Sequence, residues 1–172
     1  MEEIFIPLER VKALKEDSKG IEEIARACNC RITVADDNPI VAEGSGYDEY
    51  VARNVITAYG RGFPVKTALL LAREDYYFYT IDLDKVFKSR ERIKAVKGRL
   101  IGINGKAIRY IGTVSNAKMC VYGDKISVIG KMEAIEEAEE AIKSIINGSR
   151  HGKAYSRMES VHRKHIEERK AL

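Results

Sequence analysis

The stretch Lys97-Gly-Arg-Leu-Ile-Gly-Ile-Asn-Gly-Lys106 decides how this chain is read. Upstream, Ile93, Val96 and Leu100 recur at helical spacing, and downstream Ile108 and Ile111 do the same. Two helices therefore meet at a corner bounded by Gly102 and Gly105. Glycine at both ends lets one backbone approach another closely. The second glycine opens a helix, where unpaired N–H groups and the helix dipole favour an anion. Lys106 and Arg109 add positive charge to that first turn, and Lys97 and Arg99 precede the corner. The combination suits clamping of a single-stranded sugar–phosphate backbone while bases lie on an apolar floor. Gly102, Ile103, Asn104 and Gly105 would form the clamp, with Lys106 and Arg99 on phosphates. Ile101, Ile108 and one face of the strand Ala117 to Tyr122 would supply the floor. With 13 glycines in 172 residues, chance alone supplies about one such pair, so its placement carries the argument. The competing reading is a helical corner whose glycines serve packing alone.

An internal repeat gives the corner its context. At an offset of 87, Lys19 meets Lys106, Ile21 meets Ile108, Ile24 meets Ile111 and Asn29 meets Asn116. After a gap near Asn38 the offset becomes 86, and Ile40, Gly44, Ala52, Ile56 and Gly62 meet Ile126, Gly130, Ala138, Ile142 and Gly148. Each copy reads as strand, two helices, two strands, helix. The opening strands are Ile4 to Ile6 and Tyr77 to Leu83, and the closing helices are Tyr47 to Tyr59 and Met132 to Ile146. Gly60 and Gly148 stand where a helix C-terminus wants a residue tolerant of positive φ. The expected fold is α+β, with each copy a three-stranded sheet covered by helices. The expected units are residues 1–62, 63–149 and a basic extension over 150–172. Pro64 to Arg73 is a short amphipathic helix between the copies.

Charge divides along the chain. Residues 1–86 carry 11 Lys+Arg against 16 Asp+Glu, and residues 87–172 carry 19 against 10. A basic half is the footprint of nucleic-acid binding, and also of an uneven solvated surface. The longest all-apolar run, Ala68 to Ala72, is far short of the ~20 residues of a membrane span. No signal-peptide pattern opens the chain, so the three cysteines read as reduced thiols of a cytoplasmic protein.

Other clusters carry less. Cys28-Asn-Cys30 lacks a second pair and reads as buried thiols. His162 and His165, with Glu159 and Glu167 nearby, read as a solvated basic helix and not a metal site. Glu136, Glu137, Glu139 and Glu140 read as the wet face of a helix. Tyr76 to Tyr79 reads as a half-buried strand, with a base-stacking platform as the alternative. Arg150, His151, Lys153, Tyr155 and Arg157 interleave basic and aromatic residues, which either extend an RNA footprint or form a disordered end. No catalytic, metal or cofactor pattern is present in the sequence, and the chain reads as a non-enzyme.

The order of elements together with Ile101-Gly-Ile-Asn-Gly-Lys106 resembles a type I KH domain, and the chain resembles two in tandem. More narrowly, Ala58-Tyr-Gly-Arg-Gly-Phe-Pro64, Lys97 to Lys106 and Gly148-Ser-Arg-His-Gly-Lys-Ala-Tyr155 resemble the archaeal partner-of-Nob, or Dim-two-like, family. That resemblance implies an adaptor in small-subunit ribosome biogenesis that binds the 3′ region of 16S ribosomal RNA. It also implies two partners, the PIN-domain rRNA endonuclease of the Nob family and the α subunit of initiation factor two. A protein-interaction scaffold with a vestigial clamp is the alternative. The chain departs from the family pattern twice. The middle of its loop is Ile103-Asn104 and not basic, and the aligned loop of the first copy is Lys15-Glu-Asp-Ser18. The first copy is therefore expected to be a structural or protein-binding unit.

Overall fold

The computed structural model describes residues 1–35 and 38–172, which form two compact units, Met1–Phe78 and Tyr79–Leu172. In the first unit β1 (Glu2–Ile4) leads to α1 (Leu8–Glu16) and α2 (Ser18–Ala27). The strands β2 (Arg31–Val34) and β3 (Ile40–Glu43) follow, then α3 (Gly46–Gly60), α4 (Val65–Ala68) and a 3-10 turn at Leu69–Ala72. The sheet order is β1-β3-β2, with both pairings antiparallel. Leu14, Ile24, Ile40 and Ile56 are fully buried between sheet and helices. Each such side chain contributes about 1.5–3 kcal/mol of burial.

The second unit repeats the plan. Its strand β4 (Tyr77–Asp82) begins at the boundary and precedes α5 (Leu83–Val86), α6 (Arg90–Ile101), a 3-10 turn at Ile103–Gly105 and α7 (Lys106–Ser115). Then come β5 (Lys118–Tyr122), β6 (Lys125–Gly130), α8 (Met132–Ile146) and α9 (His151–Ala171), with sheet order β4-β6-β5. The two aligned asparagines, Asn29 and Asn116, both take left-handed φ of 50° and 56°. The aligned Gly62 and Gly148 do likewise, at 98° and 88°. A shared backbone at these positions explains why the repeat survives there.

Several expectations change. Positive φ after α3 falls on Gly62, not Gly60, which stays helical. Gly60 is needed for another reason, because a Cβ there would lie 2.4 Å from Ile6 Cγ2. The first strand ends at Ile4, where its pairing to Ile40 ends. The boundary between units falls after Phe78 and not after residue 62, since the segment after Pro64 packs on α3.

The basic extension is not a separate tail. It forms α9, which buries Ala154 and Met158 in the second core and packs along α8. Glu137 is the reason its far end docks. This carboxylate, expected on a wet face, is 2% exposed and accepts from His162 Nδ1 and His165 Nδ1, both at 2.8 Å. His165 is likewise buried, and its Nε2 lies 3.2 Å from Glu136. A buried carboxylate with both oxygens satisfied holds a helix in register, whereas an unpaired one would be expelled. Glu139 is also partly covered and pairs with Lys143 at 2.6 Å. Among the described residues no helix is long and apolar enough to cross a membrane. Cys28 and Cys30 are buried thiols, and burial pushes the Cys28 thiol up to about 12.

Candidate nucleic-acid interface

The corner after α6 is built by three departures from ordinary backbone within four residues. Gly102 has φ +73° and ψ 173°, Asn104 φ 52° and ψ 30°, and Gly105 φ 71° and ψ 19°. At Gly102 the need for glycine is double, because a Cβ there would lie 2.8 Å from both the Ala107 amide nitrogen and its Cβ. Asparagine is among the few residues with a side chain that tolerate the left-handed region, which accounts for Asn104. The Gly105 amide donates to the Gly102 carbonyl at 3.1 Å, closing the turn.

Two consequences follow for chemistry. The tip is thrust outward, with Ile103 80% exposed. Gly105 is the N-cap of α7 and brings no side chain to that helix N-terminus, where the Lys106 amide donates to the Ile103 carbonyl; a helix N-terminus without a side-chain cap favours an anion. Lys106 is exposed on that turn and has no ion-pair partner among the described residues. Arg109 reaches back to the loop, where Nη2 donates to the Asn104 carbonyl at 2.6 Å. The glycine loop, a helix N-terminus and two cations are therefore assembled at one place.

Other residues expected on the nucleic acid have different neighbours. Arg99 turns from the loop to the end of α8, donating to the carbonyls of Ile145 at 3.1 Å and of Ser149. Lys97 pairs with Asp124 at 3.1 Å, and Asp124 also pairs with Arg90. Ile101 is exposed at the end of α6, and Ile108 is half-buried on α7. In β5, Met119 and Val121 pack against the core of the second unit. Arg150 and Lys153 are exposed at the start of α9, and Tyr155 is half-buried.

That start of α9 is fastened beside the loop by contacts that sequence spacing does not reveal. His151 Nε2 lies 2.7 Å from the Arg99 carbonyl oxygen. Tyr155 meets Tyr110 of α7 with ring centroids 4.4 Å apart, and the Tyr110 hydroxyl donates to Glu159. Tyr110 has no periodic signal of its own. It lies on the exposed side of an amphipathic helix and finds its partners some 45 residues further on.

The corresponding corner of the first unit is chemically filled. Asp17 sits between α1 and α2 as the N-cap of α2, and its carboxylate accepts from the Gly20 amide at 2.9 Å. An internal anion thus occupies one of the amides that an external phosphate would need and sets negative charge at the helix N-terminus.

Residues 77–163 match the family model described as the eukaryotic type KH-domain, KH-domain type I. A KH domain-containing protein of Methanocaldococcus jannaschii is 29% identical over 165 residues, covering 92% of this chain and 73% of that protein. The pre-rRNA-processing protein pno1 of Aspergillus fumigatus is 31% identical over 109 residues, but the alignment spans only 43% of its length. Among solved structures, Dim2p from Pyrococcus horikoshii superimposes with TM-score 0.80 at 30% identity, covering 92% of this chain and 98% of that one. A chain in the a/eIF2alpha–aDim2p–rRNA complex from the same organism gives TM-score 0.83 at 28% identity, covering 95% and 94%. Half the chain fits the type I KH model and nearly all of it aligns with archaeal Dim2p, so the chain belongs to the Dim2/Pno1 family of KH-domain proteins.

Proposed function

We propose that this protein is a non-enzymatic adaptor in small ribosomal subunit maturation, which binds single-stranded RNA in the 3′ region of 16S rRNA through its second unit. The observation that carries the reading is the Gly102–Gly105 corner, where an uncapped helix N-terminus and the exposed Lys106 stand behind an outward Ile103. A phosphate placed there meets backbone N–H groups, a helix dipole and a cation together. Arg109 shapes the loop and adds charge, and Arg150, Lys153 and Tyr155 extend the contact along the start of α9. Family relatives named for pre-rRNA processing, and the solved complex containing rRNA, support the target class. The same complex supports the α subunit of initiation factor two as a partner. The PIN-domain endonuclease enters through the family resemblance alone, and a cytoplasmic location goes with this role. The first unit, closed by Asp17, serves as a structural or protein-binding module.

Fluorescence anisotropy tests the reading. A short RNA carrying the 16S 3′ end is compared with a scrambled one at two salt concentrations, using wild type and the double variant Ile103→Asp, Asn104→Asp. Binding that prefers the 16S end, weakens steeply with salt and disappears in the folded variant is the expected result. Equal binding by both proteins would move the RNA site away from the loop. No binding by either would favour a protein scaffold with a vestigial clamp.

A further inference from the structure

Residues 150–166 carry five Lys+Arg against one Asp+Glu. Within α9, Lys153, Arg157, Ser160 and Lys164 follow one another at spacings of four and three, so they share one side of the helix, with Arg163 beside them. From Lys153 to Lys164 the row runs about 16 Å along the helix axis. Its four basic residues are exposed. Arg150, Lys153, Arg163 and Lys164 have no ion-pair partner among the described residues, and Arg157 donates to the Ser144 hydroxyl at 3.3 Å. Nearby cations differ. Arg169 pairs with Glu133 at 3.4 Å, and Lys143 pairs with Glu139. Carboxylates near the row look elsewhere: Glu159 accepts from Tyr110 of α7, and Glu136 and Glu137 meet the histidines on the docked side. Glu167 and Glu168 end the row in the next turn.

Charge calls for an anion, and the chemistry of the face selects which. A membrane surface would need an apolar side to insert, but Ala154 and Met158 lie in the core of the second unit. Protein interfaces are anchored by aromatic or apolar side chains, whereas the outward residues from Gly152 to Lys164 are glycine, serine, lysine and arginine. A single strand binds by stacking its bases on aromatic rings. The aromatic residue of this stretch, Tyr155, is turned towards α7 and rests on Tyr110. A duplex keeps its bases stacked inside and presents phosphates and 2′-hydroxyls, which lysine, arginine and serine can meet without any apolar surface.

We propose that the outer face of α9, from Lys153 to Lys164, docks the sugar–phosphate backbone of an RNA duplex. The inference rests on the proposed function for its choice of RNA and adds a second contact to it. His151 fastens the start of α9 beside the glycine loop, at 2.7 Å from the Arg99 carbonyl oxygen. A single strand held at the loop and a double-helical stretch held along α9 are therefore neighbours, and the protein recognises the junction between them.

The test titrates the full chain at pH 7 with three labelled RNAs: the 16S 3′-end strand alone, a blunt-ended hairpin, and the same hairpin joined to that strand. The joined RNA is expected to bind at least tenfold tighter than the strand alone. The double variant Arg163→Ala, Lys164→Ala, at exposed positions far from the loop, should weaken the joined RNA and the blunt hairpin at least fivefold. It should also reduce their salt slope by about 2, and leave the melting temperature and the strand alone unchanged. Arg163→Lys with Lys164→Arg should restore wild-type binding. A joined RNA bound no tighter than the strand, or bound equally by wild type and the alanine variant, overturns the proposal. So does an equal loss for strand and joined RNA, which would make the row part of the single-strand site. Poly-glutamate released by the alanine variant, with the hairpin unaffected, overturns it in favour of an acidic protein. The blunt hairpin reports on α9 alone, so failure of the loop reading shows separately, in the strand.

Discussion

His151 Nε2 stands 2.7 Å from the carbonyl oxygen of Arg99, and the Arg99 side chain in turn donates to the carbonyls of Ile145 and Ser149. Backbone and side chain of one arginine thus join the ends of α6 and α8 to the start of α9. The helix that ends at the clamp loop is splinted by the chain's last helix.

Arg99 therefore acts as a positioning residue. Arg99→Ala should lower stability by about 1–3 kcal/mol, since it strands carbonyls that are partly shielded from water. The dependence of RNA affinity on salt should keep its slope. Paired thermal melts and salt titrations check this, and a slope reduced by one would return Arg99 to the phosphate backbone.

Lys106 is the contrasting case. Lys106→Ala should leave the melting temperature almost unchanged, because the side chain is exposed and has no ion-pair partner among the described residues. It should weaken binding similarly across RNA sequences and reduce the salt slope by about 1. Anisotropy over a range of salt measures it directly.

Gly102 tests the loop backbone. Alanine there must hold φ near +73° with its Cβ 2.8 Å from the Ala107 amide. Strain of this kind is worth about 1–3 kcal/mol, so Gly102→Ala should lower the melting temperature and shift the Ala107 amide resonance. RNA binding should fall with it, whereas Gly98→Ala, in open space within α6, should do neither.

The docking of α9 should depend on pH. The hydrogen bond to Glu137, assisted by the charges of Glu133 and Glu136, raises the His165 pKa against the opposing effect of burial. A raised value in the folded state favours folding when the imidazole is charged. The stabilisation is therefore complete below the unfolded value, about 6.5, and fades as pH rises through the folded one. Melts of the full chain from pH 6 to pH 9 should decline along this course, and His165→Gln should flatten the dependence. An unchanged profile in that variant would assign the decline to other groups.

Asp17 allows a separation of charge from shape. Asp17→Ala should cost about 0.5–2 kcal/mol by uncapping α2, and Asp17→Asn should cost less because the amide oxygen still accepts. Neither variant should gain RNA affinity in the first unit, since Lys15 and Ser18 keep side chains where the second unit has glycine. RNA crosslinks mapping to Lys15–Ser18 would contradict this.

The element order and the duplication were readable because local signals agreed with them. Apolar spacing in α6, α7 and α8 survives in the fold, and so does the glycine pair. The misread residues are those whose environment is made by distant chain. Glu137 has charged neighbours in sequence and the spacing of a solvent face, and only the docking of α9 buries it. Arg99 belongs to a basic run, so its turn towards Ser149 is invisible without the end of α8 beside it. The unit boundary was misplaced for a related reason. Residues 65–72 have an apolar stripe that names no partner, and packing on α3 decides which unit owns them.

The Asp17 cap also bears on how two copies of one fold diverge for good. On the proposed function, the first copy holds within itself the negative group that the second takes from RNA. Regaining a clamp there would require loss of the carboxylate and new glycines at Lys15 and Ser18. Removing the carboxylate first uncaps α2, and each glycine placed first loosens a helix end without yet offering a place for phosphate. Every single step back is a loss, so the division of labour between the halves is ratcheted by helix-capping energetics.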